Sequence, residues 1–264
     1  MKKYLVIGNP IDHSLSPKLH NYWIKKNKID AIYDKKLINE SDIKDVIFQV
    51  KKENINGVNV TVPFKKTVIP FVDELTAEAK DSQSINTIYK ENGKVIGHNT
   101  DMAGFELGLR YVNYNVKNKK IFILGAGGVV SSVILILKKM VASKIILSNR
   151  TKKKAEDLKK SFSYLEIIDW GKTPEFDMIV NATSLGLKKN DEIKLNYTDI
   201  GTDKFFYDII YNPKQTIFLK RAKMFGNQTE NGKMMFLYQA HQAFTIWHKI
   251  MPEIDDETIK LLDL

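Results

Sequence analysis

The sequence contains no cysteine, which excludes disulfides, thiolate metal ligands and cysteine nucleophiles. Arginine is nearly absent too: Arg110, Arg150 and Arg221 are the only three. The net charge of +10, from 41 basic against 31 acidic residues, is therefore carried almost entirely by lysine. Nucleic-acid readers cluster arginine with aromatics, so no nucleic-acid partner is expected. The excess charge instead favours an anionic ligand. Long apolar runs are missing as well. Lys2 and Lys3 precede an apolar run of residues 4–7 only, too short for the core of a signal peptide. The most apolar stretch, 129–137, stops at Lys138 and Lys139 before it could span a bilayer. No membrane association is expected, and a cytoplasmic location is. The five histidines, His13, His20, His98, His241 and His248, show no ligand spacing, so no metal is expected. Asp12, His13 and Ser14 are consecutive and cannot converge into a relay; with no G-x-S-x-G elbow, a serine hydrolase is excluded.

What remains is a chain of 264 residues, 43% hydrophobic and 27% charged, which is a globular composition. Its length fits one large domain or two compact ones. Short apolar runs alternate with amphipathic stretches, the pattern of βα units around a mainly parallel sheet. The first half reads as strands over 3–8, near 32 and over 57–62, with helices over 17–26 and 42–53. The periodicity breaks over 114–120. A second βα series follows, with strands over 121–124, 144–148, 178–181 and 205–209. Two α/β domains joined near residue 115 describe this simply.

In the second series a strand runs into Gly125-Ala-Gly127-Gly128 and then into a helical apolar stretch. Strand, glycine turn and helix in that order are what a dinucleotide fingerprint requires: Gly125 for the tight turn, Gly127 for close approach of a pyrophosphate at the helix N-terminus. An NAD site places an acidic residue about 20 positions on. Here the next strand ends Ser148-Asn149-Arg150-Thr151-Lys152-Lys153-Lys154, without a carboxylate. A guanidinium with flanking ammonium groups suits a 2′-phosphate, so NADP is expected. Three lysines behind Thr151 at a helix start oppose the macrodipole, which an ordinary capped helix leaves unexplained.

Three polar clusters lie at strand ends in the first series. Period two places Val58, Val60 and Val62 on one face and Asn59 and Thr61 on the other, with Lys65 just beyond Pro63. Ligands of open α/β sheets bind outside the carboxyl ends of strands, where Lys65 would sit. Ser14 and Ser16 flank Leu15; an extended segment would point both hydroxyls one way and Leu15 to the core, while simple helix capping by Ser16 is the alternative. Asn92-Gly93 signals a hairpin whose register sets Asn86 opposite Asn99, with Asp101 at the same end.

These motifs resemble the shikimate dehydrogenase family. Ser14-Leu-Ser16-Pro17, Asn59-Val-Thr-Val-Pro-Phe-Lys65, Ile85-Asn86-Thr87 and Gly97-His-Asn-Thr-Asp101 are similar to its substrate motifs. Gly125-Ala-Gly-Gly128, Asn149-Arg-Thr151, Asn181-Ala-Thr-Ser184 and Gln239-Ala240 are similar to the rest, in collinear order over nearly the whole chain. The resemblance implies an open α/β substrate domain (1–103 and 235–264) and an NADP-binding Rossmann domain (104–234). The C-terminal helix would pack back on the first domain through Phe236, Ala240, Ala243, Phe244 and Trp247. It implies NADPH-dependent reversible reduction of 3-dehydroshikimate to shikimate, a step towards chorismate and the aromatic amino acids. Lys65 and Asp101 would be the catalytic pair, and Ser14, Ser16, Thr61, Asn86, Tyr211 and Gln239 would join them in holding the substrate. Gly125, Ala126, Gly127, Gly128 and Val129 would cradle the pyrophosphate. Asn149, Arg150, Thr151 and Lys154 would surround the adenosine phosphate, and Thr183, Ile209 and Gly232 would line the nicotinamide side.

Three positions depart from the family pattern: Met234 stands at a usual glycine, and Val129 and Val130 are larger than the small residues common after the glycine turn. Two alternatives stay open, an NAD-using quinate/shikimate dehydrogenase and a nonenzymatic NADP-binding regulator. Lys65 and Asp101 together speak against the second. The assembly is expected to be a monomer or a homodimer.

Overall fold

The computed structural model describes residues 1–188 and 190–263. They form two compact units, Met1–Gly104 with Leu237–Asp263, and Phe105–Phe236. The chain passes from the first unit to the second within the helix Asp101–Tyr111 and returns within the helix Lys233–His248. No helix among the described residues is long and apolar enough to cross a membrane.

In the first unit, β1 (Lys2–Gly8) pairs in parallel with β2 (Ala31–Leu37) and β3 (Gly57–Val60). Strand β4 (Glu74–Leu75) edges the sheet, and β5 (Thr87–Glu91) and β6 (Lys94–His98) form a hairpin that joins β3 antiparallel. The order β2-β1-β3-β5-β6-β4 makes this sheet mixed. Asn92 and Gly93 both take positive φ, 50° and 79°, as a two-residue hairpin turn demands. The hairpin pairs Thr87 with His98, the expected register. Helices α1 (Ser16–Lys26), α2 (Ile43–Lys51) and α3 (Ala77–Ser82) flank the strands. Val46, Ile47 and Val50 of α2 pack with Ile7, Val58, Val60 and Ile88 in one core. A second, aromatic cluster joins Tyr4, His20, Trp23, Tyr33, Phe244 and Trp247. Trp247 Nε1 donates to Ile88 O at 3.2 Å, and it presses so close to Gly57 that no side chain fits there.

The strand expected over 57–62 stops at Val60. Thr61 N still reaches Ile7 O at 2.9 Å, but Pro63 brings no N–H and Phe64 N turns back to Thr61 O. Val62 is therefore 59% exposed rather than continuing the buried face of Val58 and Val60.

The second unit is wholly parallel. Helix α4 (Asp101–Tyr111) leads to β7 (Lys120–Leu124), α5 (Val130–Lys139), β8 (Lys144–Ser148), α6 (Lys152–Ser161), β9 (Glu166–Ile168) and β10 (Met178–Asn181). Helix α7 (Tyr197–Ile200), β11 (Phe205–Asp208), α8 (Ile217–Met224) and β12 (Gln228–Glu230) complete it before α9 (Lys233–His248); α10 (Asp256–Leu261) closes the chain in the first unit. The sheet order β12-β11-β10-β7-β8-β9 is that of a doubly wound dinucleotide fold, with its switch point between β7 and β10. Strands β7 and β10 are near-continuous buried apolar runs, as central parallel strands require. The edge strands β9 and β12 escape sequence reading because three residues such as Gln-Thr-Glu carry no apolar period.

Candidate active site

Two strand ends of the first unit bring a cation and an anion together. Lys65 lies just beyond β3, its carbonyl accepting from Ile85 N at 2.8 Å. Asp101 opens α4 immediately after β6, where the helix dipole favours its charge. Lys65 Nζ donates to Asp101 Oδ2 at 2.5 Å, with Lys65 9% and Asp101 4% exposed. Of the three Nζ donors one is taken by a described residue, which leaves two for a ligand. Asn86 Nδ2 donates to the other carboxylate oxygen, Asp101 Oδ1, at 2.9 Å. Its own Oδ1 accepts from Thr100 N at 2.8 Å, so the amide cannot be turned over. Gln239 Oε1 meets the same Nδ2 at 3.4 Å. The hairpin thus joins an amide and a carboxylate 15 positions apart. Asn99, the expected partner of Asn86, turns elsewhere: its Nδ2 donates to Ser82 Oγ and Ser84 O, and its Oδ1 accepts from Met102 N.

The serine cluster differs from the expected extended segment. Leu15 has helical angles, φ −87° and ψ −1°, so side-chain alternation does not apply there. It is half-buried instead of joining the core. Ser14 Oγ accepts from Ser16 N at 3.3 Å, and Ser16 is the first residue of α1 rather than its cap. Ser16 is buried, and neither its Oγ nor that of Thr61 bonds another described residue. Thr61 approaches the end of β1 because residue 8 is glycine: a Cβ there would lie 2.5 Å from Thr61 Cγ2.

In the second unit the glycine turn follows β7 at the switch point. Gly125 has φ +107°, and a Cβ on it would meet Ala182 O at 2.7 Å. Gly127 is different: it has no left-handed φ, and its Cβ position meets nothing nearer than Ala182 O at 3.9 Å. The fold itself thus gives no reason for glycine at 127, whereas a ligand backing onto this backbone does. Helix α5, with Val129 before it, has no side-chain cap and no acidic residue in its first turn, so no carboxylate there opposes an anion at the helix N-terminus. Val130 is fully buried in that turn. At the end of β8, Asn149 Nδ2 holds Thr151 O at 2.8 Å, and Thr151 precedes α6 without capping it. Lys152 pairs with Asp169 at 2.8 Å, so one of the three lysines at that helix start has a structural explanation. Exposed Arg150, Lys153 and Lys154 have no side-chain partner among the described residues. The set fits a dinucleotide with a 2′-phosphate.

After β10, Asn181 Oδ1 accepts from Thr183 N at 3.0 Å and Thr183 Oγ1 at 2.7 Å. Asn181 Nδ2 donates to Asp208 Oδ1 at 3.0 Å, and Thr216 Oγ1 donates to Asp208 Oδ2 at 2.7 Å. Burial pushes the Asp208 carboxyl up to about 6, against these hydrogen bonds. Gly232 touches Ile209 O so closely that no side chain fits. Met234, at the usual glycine, lies buried in the first turn of α9 with no positive φ, so this backbone does not need glycine. One residue belongs elsewhere than expected: Phe236 lies in the second unit, where Tyr211, expected there from the domain division, stacks on it at 4.4 Å.

Sequence reading missed Tyr33, Thr87, Thr100 and Asp208 as site-supporting groups. Thr87 and Thr100 each adjoin a site residue, which was the available signal. Asp208 adjoins Ile209 and offered the same signal; Tyr33 is brought in by sheet register and left none.

The chain matches two family descriptions, the "Shikimate dehydrogenase substrate binding domain" over residues 6–88 and "Shikimate / quinate 5-dehydrogenase" over residues 106–209. It is 64% identical over 263 residues to a shikimate dehydrogenase (NADP(+)) of Pelagibacter ubique, covering 100% of this chain and 99% of the relative. The crystal structure of shikimate dehydrogenase from Aquifex aeolicus is similar with TM-score 0.90 and 38% identity, covering 99% of this chain and 97% of that one. That of shikimate 5-dehydrogenase from Thermus thermophilus, in complex with NADP(H) and shikimate, has TM-score 0.89 and 27% identity, covering 99% and 98%. With this likeness running through both units, the chain belongs to the shikimate dehydrogenase family.

Proposed function

We propose that this protein interconverts 3-dehydroshikimate and shikimate with NADP, on the route to chorismate and the aromatic amino acids. The first unit serves as the substrate domain and the second as the NADP domain. The observation that carries the reading is the buried Lys65–Asp101 pair, held by Asn86 at the carboxyl ends of β3 and β6. The dinucleotide, when bound, supplies a hydride in one direction and accepts it in the other.

Adding hydride to a ketone leaves alkoxide charge on the oxygen. Lys65 Nζ, with two donors to spare, stabilises that charge and delivers the proton that completes the hydroxyl. In the oxidative direction the proton returns to Nζ. Asp101 fixes the ammonium through Oδ2 and hydrogen-bonds a substrate hydroxyl. Asn86 and Gln239 bind the neighbouring hydroxyls, and the Ser14, Ser16 and Thr61 hydroxyls hold the carboxylate side. In the second unit, the turn from Gly125 to Val129 takes the pyrophosphate. Asn149, Arg150, Thr151 and Lys154 take the 2′-phosphate, and Thr183, Ile209 and Gly232 face the nicotinamide.

Reduced-nicotinamide absorbance is the test, with shikimate against NADP and against NAD, then with quinate replacing shikimate. Rapid reduction of NADP with shikimate alone is expected. Equal turnover with NAD or quinate would move the protein to the quinate/shikimate dehydrogenases. No turnover by a folded protein would leave only a nucleotide-binding role.

A further inference from the structure

Asn86 does not stand alone behind the reacting pair. Thr87 Oγ1 donates to Asn86 Oδ1 at 3.1 Å. Asn59 Nδ2 donates to Thr87 Oγ1 at 3.1 Å and to the Asn86 carbonyl at 3.0 Å. Tyr33 Oη donates to Asn59 Oδ1 at 2.7 Å. Asn59, Asn86 and Thr87 are each 6% exposed or less, and Tyr33 is 1% exposed.

Every direction in this chain but that of the Thr87 hydroxyl is fixed by an obligate donor or acceptor. The Asn86 carbonyl can only accept, so the amino group of Asn59 faces it and Asn59 Oδ1 faces Tyr33. Tyr33 must then donate. Thr87 Oγ1, which accepts from Asn59 Nδ2, points its own proton at Asn86 Oδ1, the nearer of two oxygens in reach, at 3.1 Å against 3.4 Å to Thr100 Oγ1. Asn86 Oδ1 also takes Thr100 N–H, an obligate donor, so Asn86 Nδ2 is left facing Asp101. Tyr33 is itself held in place. Its ring stacks on His20 at 4.1 Å, and its backbone N–H and C=O are both bonded by Asn21 of α1.

We propose that Tyr33 and Thr87 are positioning residues: through Asn59, one polarised hydrogen-bond chain from Tyr33 Oη sets the Asn86 amide so that its amino group meets Asp101. The inference rests on the reading of Lys65 and Asp101 given above. Neither hydroxyl touches the ion pair. The Thr100 N–H decides which end of the amide faces Asp101, and each hydroxyl acts by holding that buried amide in place, since its misplacement would set a carbonyl oxygen against a carboxylate. In a buried network, loss of one donor leaves an acceptor unpaired and loosens the others.

The test uses Thr87→Val, Thr87→Ser and Tyr33→Phe in the full-length protein. The first and third remove a hydroxyl while keeping the side chain's shape; the second keeps the hydroxyl. With shikimate and NADP, Thr87→Val is expected to lower kcat about tenfold and Tyr33→Phe about threefold, the scale of one buried neutral hydrogen bond. The KM for NADP stays unchanged, and Thr87→Ser stays within about twofold of the parent, since it keeps the donor. The Asn86 side-chain amide resonances, read without ligands, should move in Thr87→Val and Tyr33→Phe and hold in Thr87→Ser. Unmoved amide resonances overturn the proposal. So does a Thr87→Val protein that only melts earlier while keeping its kcat, or a Thr87→Ser protein as impaired as Thr87→Val. If the parent protein itself fails to oxidise shikimate, the functional reading falls, and the amide resonances still decide whether the chain sets Asn86.

Discussion

Each unit buries an aspartate, and they are met differently. Asp101 faces an ammonium at 2.5 Å, and the ammonium keeps donors to spare. Asp208, fully buried, has no cationic partner among the described residues; it is held by Thr216, Asn181 and Ile210 N, all neutral. A charge met by charge with valences left over is arranged to act on something else. A carboxylate saturated by neutral donors is arranged to hold still, and what it holds is Asn181 and, through it, Thr183. On the proposed function, the first unit carries the chemistry and the second carries a rigid place for a cofactor.

The sharpest break in that comparison is Lys65→Ala. Turnover with shikimate should fall on the order of 10²- to 10⁴-fold, the range for a positioned general acid–base group. NADP affinity, measured by fluorescence titration, should be unchanged. A Lys65→Ala protein that turns over normally would move the chemistry away from the pair.

Protonation separates the units next. His20 is buried with both ring nitrogens unpartnered, and burial, with His248 adding to it, lowers its pKa from 6.5 to about 3. The folded form then binds fewer protons than the unfolded chain between those values, so this stability is present above pH 6.5 and is lost as pH falls towards 3. Asp208 has the opposite sign. Its pKa rises from 3.8 to about 6, so its stability is present below pH 3.8 and is lost as pH rises through 6. At 1.36 kcal/mol per unit, Asp208 contributes a swing of roughly 3 kcal/mol. Asp208→Asn, which keeps one acceptor oxygen, should abolish that swing. Denaturation of the two proteins at pH 4 and pH 7 checks it, and an unchanged swing in the variant would assign it to other groups.

The difference between the units also explains what could be read from the sequence. The second unit was legible because its strands are apolar runs and its turn is glycine-rich: β8 and β10 lie where expected, and β7 and β11 differ by one residue. In the first unit the hairpin register followed from Asn92-Gly93, and with it the meeting of Asn86 and Asp101. The Ser14–Ser16 segment was misread because a single residue, Leu15, adopts helical angles that no periodicity announces. Tyr33 and Asn59 meet across β2, β1 and β3, and that contact depends on parallel register, which local sequence does not encode. Asp208 lay inside the strand expected over 205–209, and the partners that reveal its role, Asn181, Ile210 and Thr216, come from separate segments.

A smaller effect isolates cofactor recognition. Arg150→Ala should raise the KM for NADP by roughly 10- to 100-fold, the worth of a charge-assisted hydrogen bond, with kcat for shikimate nearly constant. The lack of any side-chain partner for Arg150, Lys153 and Lys154 among the described residues motivates this, and Lys152, tied to Asp169, should be dispensable. Steady-state kinetics of Arg150→Ala against Lys152→Ala would reverse the argument if the second variant lost more.

The smallest effect divides the second unit itself into what serves folding and what serves a ligand. Gly125 and Gly127 are two positions apart in one turn, yet an alanine meets different obstacles at each. At 125 it would be forced to φ +107° with its Cβ 2.7 Å from Ala182 O, a strain of roughly 1–3 kcal/mol that lowers the melting temperature with or without cofactor. At 127 the methyl group has room, the nearest protein atom lying 3.9 Å away, so stability should stay within about 0.5 kcal/mol of the parent. The methyl group would occupy the space through which a pyrophosphate approaches the backbone. Gly127→Ala should therefore melt like the parent when free and gain less stability than the parent on adding NADP. Equal stabilisation of both proteins by NADP would mean that the pyrophosphate does not approach at Gly127, and the open Cβ position there would have no ligand to explain it.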